Sequence, residues 1–509
     1  MTVDGPDGAD RLVTRSGVRI DANPSRVLAR LFVPGHELVG DEQSRATGVL
    51  ARILALPEDV VAATLDRVLA RFDGRHRDLS STLLENYERI AHRVPDGASV
   101  SPERRLAIGA CFTHEFTTEG AALFNPSAVP HPDQSGLAPG QLRFVLSVRA
   151  VGEGHLSCVE FRTGVLGPGR AIQIEDPGPY LDAGKIRATT YERSLFADRL
   201  AEDGADGESA RFLISKLAPR FDEEDLERAL TALRGQRVTR HDAVWTDQLA
   251  RHLGRCSYEV VFPPESSIGE RVLWPRSPSE SRGIEDARFV RFVEDDGAVH
   301  YRATYTAFDG ERVAPQVIDT DDFRQFRLSP LAGSAAKDKG MALFPRKLGG
   351  RHVALSRWDR ETSALATSDD GLRWDDPVAL DTPGHPWELI QVGNCGSPVE
   401  TEAGWLVLTH GVGPMREYGM GALLLDLDDP QRVIGKLSEP LMVPEGDERD
   451  GYVPNVVYSC GSLRYGDDLF VPYGASDTSV RFAFVDLPGL LERLGARAPS
   501  AATRAKSSA

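Results

Sequence analysis

A short strand pattern recurs along this chain, and no other feature of the sequence restricts the fold so strongly. Alternating apolar residues run to a polar or aromatic end in LRFVLSVR, VHYRATYTA, RHVALSR, GWLVLTHG and DDLFVPYGASD. Period-two alternation marks a half-buried strand. The last four copies lie roughly 50 to 65 residues apart, which suits one four-stranded blade per repeat. The first copy lies further upstream because a stretch from Tyr191 to about Leu253, rich in Leu, Ala, Glu and Arg, intervenes. Inside it, FDEEDLERALTALRG opens on Asp-x-x-Asp and closes on Gly, the start and stop signals of a helix. With that stretch set aside, the repeats predict a mainly-β chain: a five-bladed β-propeller with a helical insertion at about 191–253.

The first hundred residues read differently. GVLARILALPEDVVAATLDRVLARF (48–72) spaces its apolar residues at helical intervals, with Pro57 at N1 and Glu58 and Asp59 in the first turn. STLLENYERIAHRV continues the helical pattern, and β-branched, alternating stretches begin near Ile108. The expected division is a helical N-terminal region at 1–107, the propeller at 108–490 and a flexible tail at 491–509, where LGARAPSAATRAKSSA is small, polar and basic.

Composition excludes several functions. With 59 Lys and Arg against 76 Asp and Glu, the net charge of -17 repels nucleic-acid backbones and anionic membrane surfaces. Residues 1–15 are polar without an apolar h-region, and no apolar run approaches the roughly 20 residues that span a bilayer, so a cytoplasmic protein is expected. The five cysteines are scattered without a C-x-x-C pair, which argues against both a disulfide framework and a zinc site and predicts buried small hydrophobes. No His-x-x-x-His or ligand-spaced carboxylate cluster implies a metal, and Gly349-Gly350 reads as a hairpin turn, so no cofactor is expected. In TSDDGLRWDDP, Asp369, Asp370 and Gly371 predict a tight turn over Trp374.

A propeller gathers its strand ends around one funnel. The polar residues at those ends are Arg149, the GIEDAR segment from Gly283 to Arg288, Lys347, His410, Tyr418 and Asp477. Asp286 sits beside Glu285, whose like charge raises a pKa, and near Arg288, whose opposite charge lowers it. The sequence leaves open which wins. Glu153 and His155 in GEGH read as solvated flanks of a glycine turn.

AALFNPSAV, RFVLSVRAVGEGHLSCVEFRTG, RGIEDARFVRF, TYTAFDG, ALFPRKLGGRHVALSR, GWLVLTHGV, EYGMGALLLDLDDP, GYVPNVVYSCG and YGASD occur in this order between Cys111 and about Leu490. Together they resemble glycoside hydrolase family 130, whose members are inverting β-mannoside phosphorylases and some β-1,2-mannosidases on a five-bladed propeller. The resemblance implies that Asp286 is the general acid, passing its proton through a mannosyl hydroxyl, with Ala287 where the family's E-D-P-R motif has proline. It implies phosphate contacts at Lys347, His410, Tyr418 and Arg327, and a mannosyl subsite with Asn125, Arg149, Glu285, Arg288 and Asp477.

Inverting hydrolysis needs a second carboxylate to activate water, whereas inorganic phosphate is already an anionic nucleophile. One acid and a basic pocket therefore predict phosphorolysis of a β-mannoside oligosaccharide, with phosphate as co-substrate and α-mannose 1-phosphate as product. The alternatives are an inverting β-1,2-mannosidase and a non-catalytic glycan-binding propeller. The N-terminal helices and the insertion are expected to pack, to wall the acceptor subsite or to form a homo-oligomer contact; the sequence does not choose.

Overall fold

In the computed structural model, which describes residues 12–34, 45–95, 97–187, 189–235 and 242–495, antiparallel strands organise the chain from residue 113 onward. They form successive meanders. Ala122–Pro130, Leu142–Val151, Ser157–Gly167 and Ala171–Ile174 make one. Gly283–Val293, Val299–Phe308, Val313–Thr320 and Gln325–Pro330 make the next, joined to the first by a parallel pairing of Gly283 with Ser157 into one eleven-stranded sheet. Gly283 lies at φ 141°, and a Cβ there would stand 2.2 Å from Ser157 Oγ, so this seam requires glycine.

Ala342–Leu343, His352–Ser356, Ser363–Ser368 and Asp375–Asp381 form a four-stranded sheet. Gln391–Asn394, Gly404–Val412, Tyr418–Leu425 and Val433–Lys436 follow. The last meander runs Val457–Tyr458, Asp468–Ala475 and Ser479–Asp486, and its outer strand is Val13–Asp21 from the other end of the chain. The fold is mainly β.

That last pairing adds strands to the expected helical N-terminal region at 1–107. VTRSGVRID (13–21) alternates in burial and covers an edge that would otherwise be open, while Val27–Leu31 pairs with Thr113–Thr117. Helices do fill the rest of the described N-terminal region. The single 48–72 pattern resolves into Arg45–Leu54 and Glu58–Phe72, with Pro57 preceding the second helix and not inside it. Proline lacks the N–H that would carry a helix through. Leu79–Ile90 and Pro102–Cys111 complete the group.

The insertion carries Arg193–Glu202, Glu208–Ser215, Glu223–Arg234 and Ala243–Gly254, packed around Phe196, Leu213, Phe221 and Leu230. Asp222 and Asp225 form a reciprocal capping box at the third of these helices. Arg26, ahead of the second N-terminal strand, meets Glu119, Glu160 and Arg162 in a buried quartet, with Arg26 Nε 2.8 Å from Glu160 and 3.0 Å from Glu119. In the predicted turn, Asp370 Oδ1 accepts from Leu372 N and Arg373 N at 2.8 and 2.9 Å over a fully buried Trp374. The expected tail starts later than residue 491, because Leu494 packs into the core behind the helix Leu487–Arg493; residues 496–509 lie outside the described residues. Cys111 is exposed, unlike the other four cysteines, because it ends a helix with its side chain outward. Among the described residues no helix is long and apolar enough to cross a membrane.

Candidate active site

At one end of the meanders, the first strands and the ends of the second strands meet around a pocket of about 210 Å³. First strands supply Asn125, Asp286 and Arg288, with Gln391 and Tyr458. The ends of second strands supply Arg149, Arg357, His410 and Asp477, while Lys339, Arg416 and Tyr418 come from adjoining segments.

Two β-bulges aim the central pair. Register slips between Phe124 and Ser127, and again between Glu285 and Arg288. The displaced residues Asn125 and Asp286 sit at φ 49° and 56°, and Asp477 and Arg416 reach 48° and 57°. Such conformations are costly for residues with a Cβ, least so for Asn and Asp, and concentrate at functional sites. Arg288 Nη1 donates to the Asp286 carbonyl at 3.0 Å and so braces the bulge that Ala287 completes.

Asp286 Oδ1 accepts from Asn125 Nδ2 at 2.6 Å and from Arg149 Nη1 at 3.3 Å. Arg149 Nη2 also reaches Glu285 Oε1 at 2.7 Å, and Lys339 Nζ reaches Glu285 Oε2 at 2.5 Å. Glu285 thus lies behind the pocket wall and anchors two of its cations. Burial opposes ionisation of Asp286, but Arg149, Arg288 and Lys339 together outweigh it and hold the carboxyl well below the usual range. The opposite charges win. Asp477 is pushed the other way, up to about 7, by burial and by the neighbouring Asp286.

Fully buried and facing Arg357 and Arg288, His410 is held well below the ordinary imidazole value and is neutral. Its Nδ1 lies 3.2 Å from the Asn394 carbonyl, which can only accept, so Nδ1 carries the proton. Nε2 then accepts from Arg357 Nη1 at 3.2 Å. His410 therefore steadies Arg357, and its ring stacks on Tyr418. One acceptor is left over: Asn125 Oδ1 is buried with no hydrogen-bond partner among the described residues.

Two expected phosphate contacts lie elsewhere. Lys347 pairs with Glu294 at 3.0 Å, where Val293 bridges Arg346. This is the far end of the strand that carries Asp286, roughly 20 Å away at strand rise. Arg327 pairs with Glu259 at 3.1 Å on the solvent side of Gln325–Pro330, three strands out from Asp286, roughly 14 Å sideways. In their place the pocket holds Lys339, Arg357 and Arg416. A signal for Arg357 existed, since it closes RHVALSR as Arg149 closes LRFVLSVR. Lys339 sits in the loop KDKG, where no periodicity distinguishes it from Lys337.

Several residues that flank pocket residues in the chain are exposed and apolar: Trp358 after Arg357, Leu389 and Ile390 before Gln391, and Met415, 92% exposed, before Arg416. Tyr452 is also exposed, and its hydroxyl meets His155 Nδ1 at 2.5 Å, so His155 is partnered and not simply solvated.

The model of a family of glycoside hydrolases, the 130 family, described as beta-1,4-mannooligosaccharide phosphorylase, matches residues 262–494. A 1,2-beta-oligomannan phosphorylase of Thermoanaerobacter sp. (strain X514) is 35% identical over 232 residues, covering 43% of this chain and 74% of that one. A beta-1,2-mannobiose phosphorylase of Listeria innocua is 32% identical over 232 residues, covering 44% and 63%. Among solved structures, a beta-1,2-mannobiose phosphorylase from Listeria innocua in complex with beta-1,2-mannobiose aligns over 75% of this chain and 93% of that chain, at 22% identity and a TM-score of 0.43.

Proposed function

The chain belongs to glycoside hydrolase family 130, and we propose on that basis that it is an inverting β-mannoside phosphorylase, its five meanders being the blades of a propeller. One observation carries the choice of phosphate over water. The pocket is lined by Arg149, Arg288, Lys339, Arg357 and Arg416 against Asp286 and Asp477, and even with Glu285 behind Arg149 and Lys339 and Asp338 at 3.5 Å from Arg357 the cations outnumber the carboxylates, in a chain of net charge -17. A neutral mannoside has no use for that excess; a phosphate dianion does.

Phosphate held by Lys339, Arg357 and Arg416 attacks the anomeric carbon from the face opposite the leaving sugar. As the new C–O bond forms, the glycosidic C–O bond breaks. Asp286 supplies the proton to the departing oxygen through a ring hydroxyl, giving α-mannose 1-phosphate and a free acceptor sugar. Asn125 Oδ1 accepts from a mannosyl hydroxyl, and Tyr418 donates to phosphate. His410 positions Arg357, and Arg149 positions Asp286.

Before substrates arrive, Asp286 is an anion, whereas Asp477, pushed up to about 7 by burial and by Asp286, keeps its proton only below that pH. Incoming phosphate offsets the cations that suppress Asp286, raising its affinity for a proton. The acid is thus armed when the nucleophile is in place. A cytoplasmic setting suits this chemistry, because a phosphorylated product keeps the bond energy and does not cross membranes.

Incubation with a β-1,2-mannobiose and β-1,4-mannobiose panel, with and without inorganic phosphate, tests the reading. Phosphate-dependent release of mannose 1-phosphate is expected. Full turnover in phosphate-free buffer would make the enzyme a mannosidase, and saccharide binding without turnover would make it a glycan-binding propeller.

A further inference from the structure

Away from the candidate active site, a cleft of about 750 Å³ runs between the N-terminal strand Val27–Leu31, the helix Leu79–Ile90, the edge strand Lys185–Arg187 and the loop after Val272–Leu273. Each of these four elements brings an arginine to it: Arg30, Arg89, Arg187 and Arg276. None of the four has a carboxylate within salt-bridge distance among the described residues. Arg30 lies over the Trp274 ring at 3.8 Å, and Arg276 Nη2 donates to the Ala183 and Gly184 carbonyls at 3.2 and 3.4 Å.

Other cations of the cleft are neutralised. Arg77 pairs with Glu270 at 2.5 Å, Lys185 lies 3.8 Å from Glu85, and Arg324 lies 3.4 Å from Asp322. Burial, and then the charges of Arg276 and Arg89, depress Arg30 to about 10, which places these three guanidiniums within each other's field. Like charges converging from separate elements oppose the docking of those elements. Asp78, Glu85, Asp182 and Glu265 also line the cleft, but among the described residues none lies within salt-bridge distance of these arginines, which leaves their guanidiniums without a paired carboxylate and suited to an oxyanion.

We propose that this cleft is a second anion site, distinct from the pocket around Asp286, in which Arg30, Arg89 and Arg276 bind a phosphate group and thereby clamp the N-terminal region onto the meanders. The group is either free inorganic phosphate or the phosphate of a sugar ester, since both present the same oxygens to a guanidinium fork. The site does not depend on the reaction assigned to the pocket.

Calorimetric titration and thermal melting with inorganic phosphate, and separately with mannose 6-phosphate, test it on the full chain. The background is Lys339→Ala/Arg357→Ala/Arg416→Ala, which removes the three side chains that hold phosphate at the pocket. In that background phosphate or its ester should still bind once per chain and raise the melting temperature. Arg89→Gln, an exposed position, should weaken this binding at least tenfold and raise the melting temperature measured without anion, because it relieves repulsion; Arg30→Gln should do the same. Turnover of Arg89→Gln in an otherwise unaltered chain should stay within twofold. Tighter binding of one ligand identifies the source of the phosphate. Absence of binding in the background, or binding and melting unchanged by both glutamine substitutions, would overturn the proposal.

Discussion

Asp286 lies at the centre of the pocket in a left-handed bulge, held ionised by Arg149, Arg288 and Lys339. Asp286→Asn keeps an acceptor for Asn125 and Arg149 but has no proton of use to the leaving oxygen. Turnover should fall ~10²–10⁴-fold, the usual worth of a general acid, with saccharide binding retained; activity within threefold of wild type would assign the acid elsewhere. Asp477 makes a prediction of opposite kind. Its folded pKa of about 7 exceeds the ordinary aspartate value of about 3.9, so the folded chain holds a proton that the unfolded chain releases. Stability is therefore lost as pH rises from about 4 to about 7, and the loss is complete above that. Asp477→Asn removes the penalty: melting scans should show a gain worth about 1–2 kcal/mol at pH 8, after discounting for its partial exposure, and none near pH 4. An equal gain at both pH values would reject a carboxyl held neutral by its surroundings.

Strands made most of the architecture legible. Alternation located LRFVLSVR, GWLVLTHG and DDLFVPYGASD, and their last polar residues, Arg149, His410 and Asp477, do reach one pocket. Alternation reports which face a side chain takes and not how far along a sheet it lies, which is why the expectation at Lys347 differs from its place beside Glu294; the expectation at Arg327 rests on the family resemblance alone, and that side chain pairs with Glu259. Lys339 sits on a loop whose path is set by tertiary packing, and the bulges at Asn125 and Asp286 leave no trace in hydrophobic pattern. Val13–Asp21 carries no local sign of its pairing because its partner is more than 450 residues away, at Ser479–Asp486. The strand-end geometry gives a paired test. Lys339→Ala and Arg357→Ala should each raise the KM for phosphate tenfold or more, about 1.4 kcal/mol, with smaller effects on the saccharide KM. Lys347→Ala and Arg327→Ala should leave both within twofold. Steady-state kinetics with phosphate varied separates the sets, and the reverse ordering would return the phosphate site to FPRKL.

The first described strand, Val13–Asp21, pairs with Ser479–Asp486 of the last meander, and Arg26, which follows it, anchors the N-terminal segment to the first meander through the quartet with Glu119, Glu160 and Arg162. Two guanidiniums balance two carboxylates in a space closed to water. Burial and the adjacent Glu160 already push the Glu119 carboxyl above its ordinary value, while Arg162 and Arg26 restrain it. Arg26→Ala leaves both carboxylates facing one cation and also removes the donor to the Gly269 carbonyl at 2.7 Å. Breaking a buried pair in this way costs about 3–5 kcal/mol. The cost should depend on pH in a definite direction. With its restraint gone, Glu119 favours the protonated form more strongly, so acidification from pH 8 to pH 5 loads it and relieves the uncompensated charge. The melting-temperature deficit of Arg26→Ala relative to wild type should therefore be largest at pH 8 and shrink toward pH 5. A deficit constant across that range would mean that Arg26 contributes through packing and its carbonyl bond alone, and that the N-terminal segment is held on the first meander without electrostatic help.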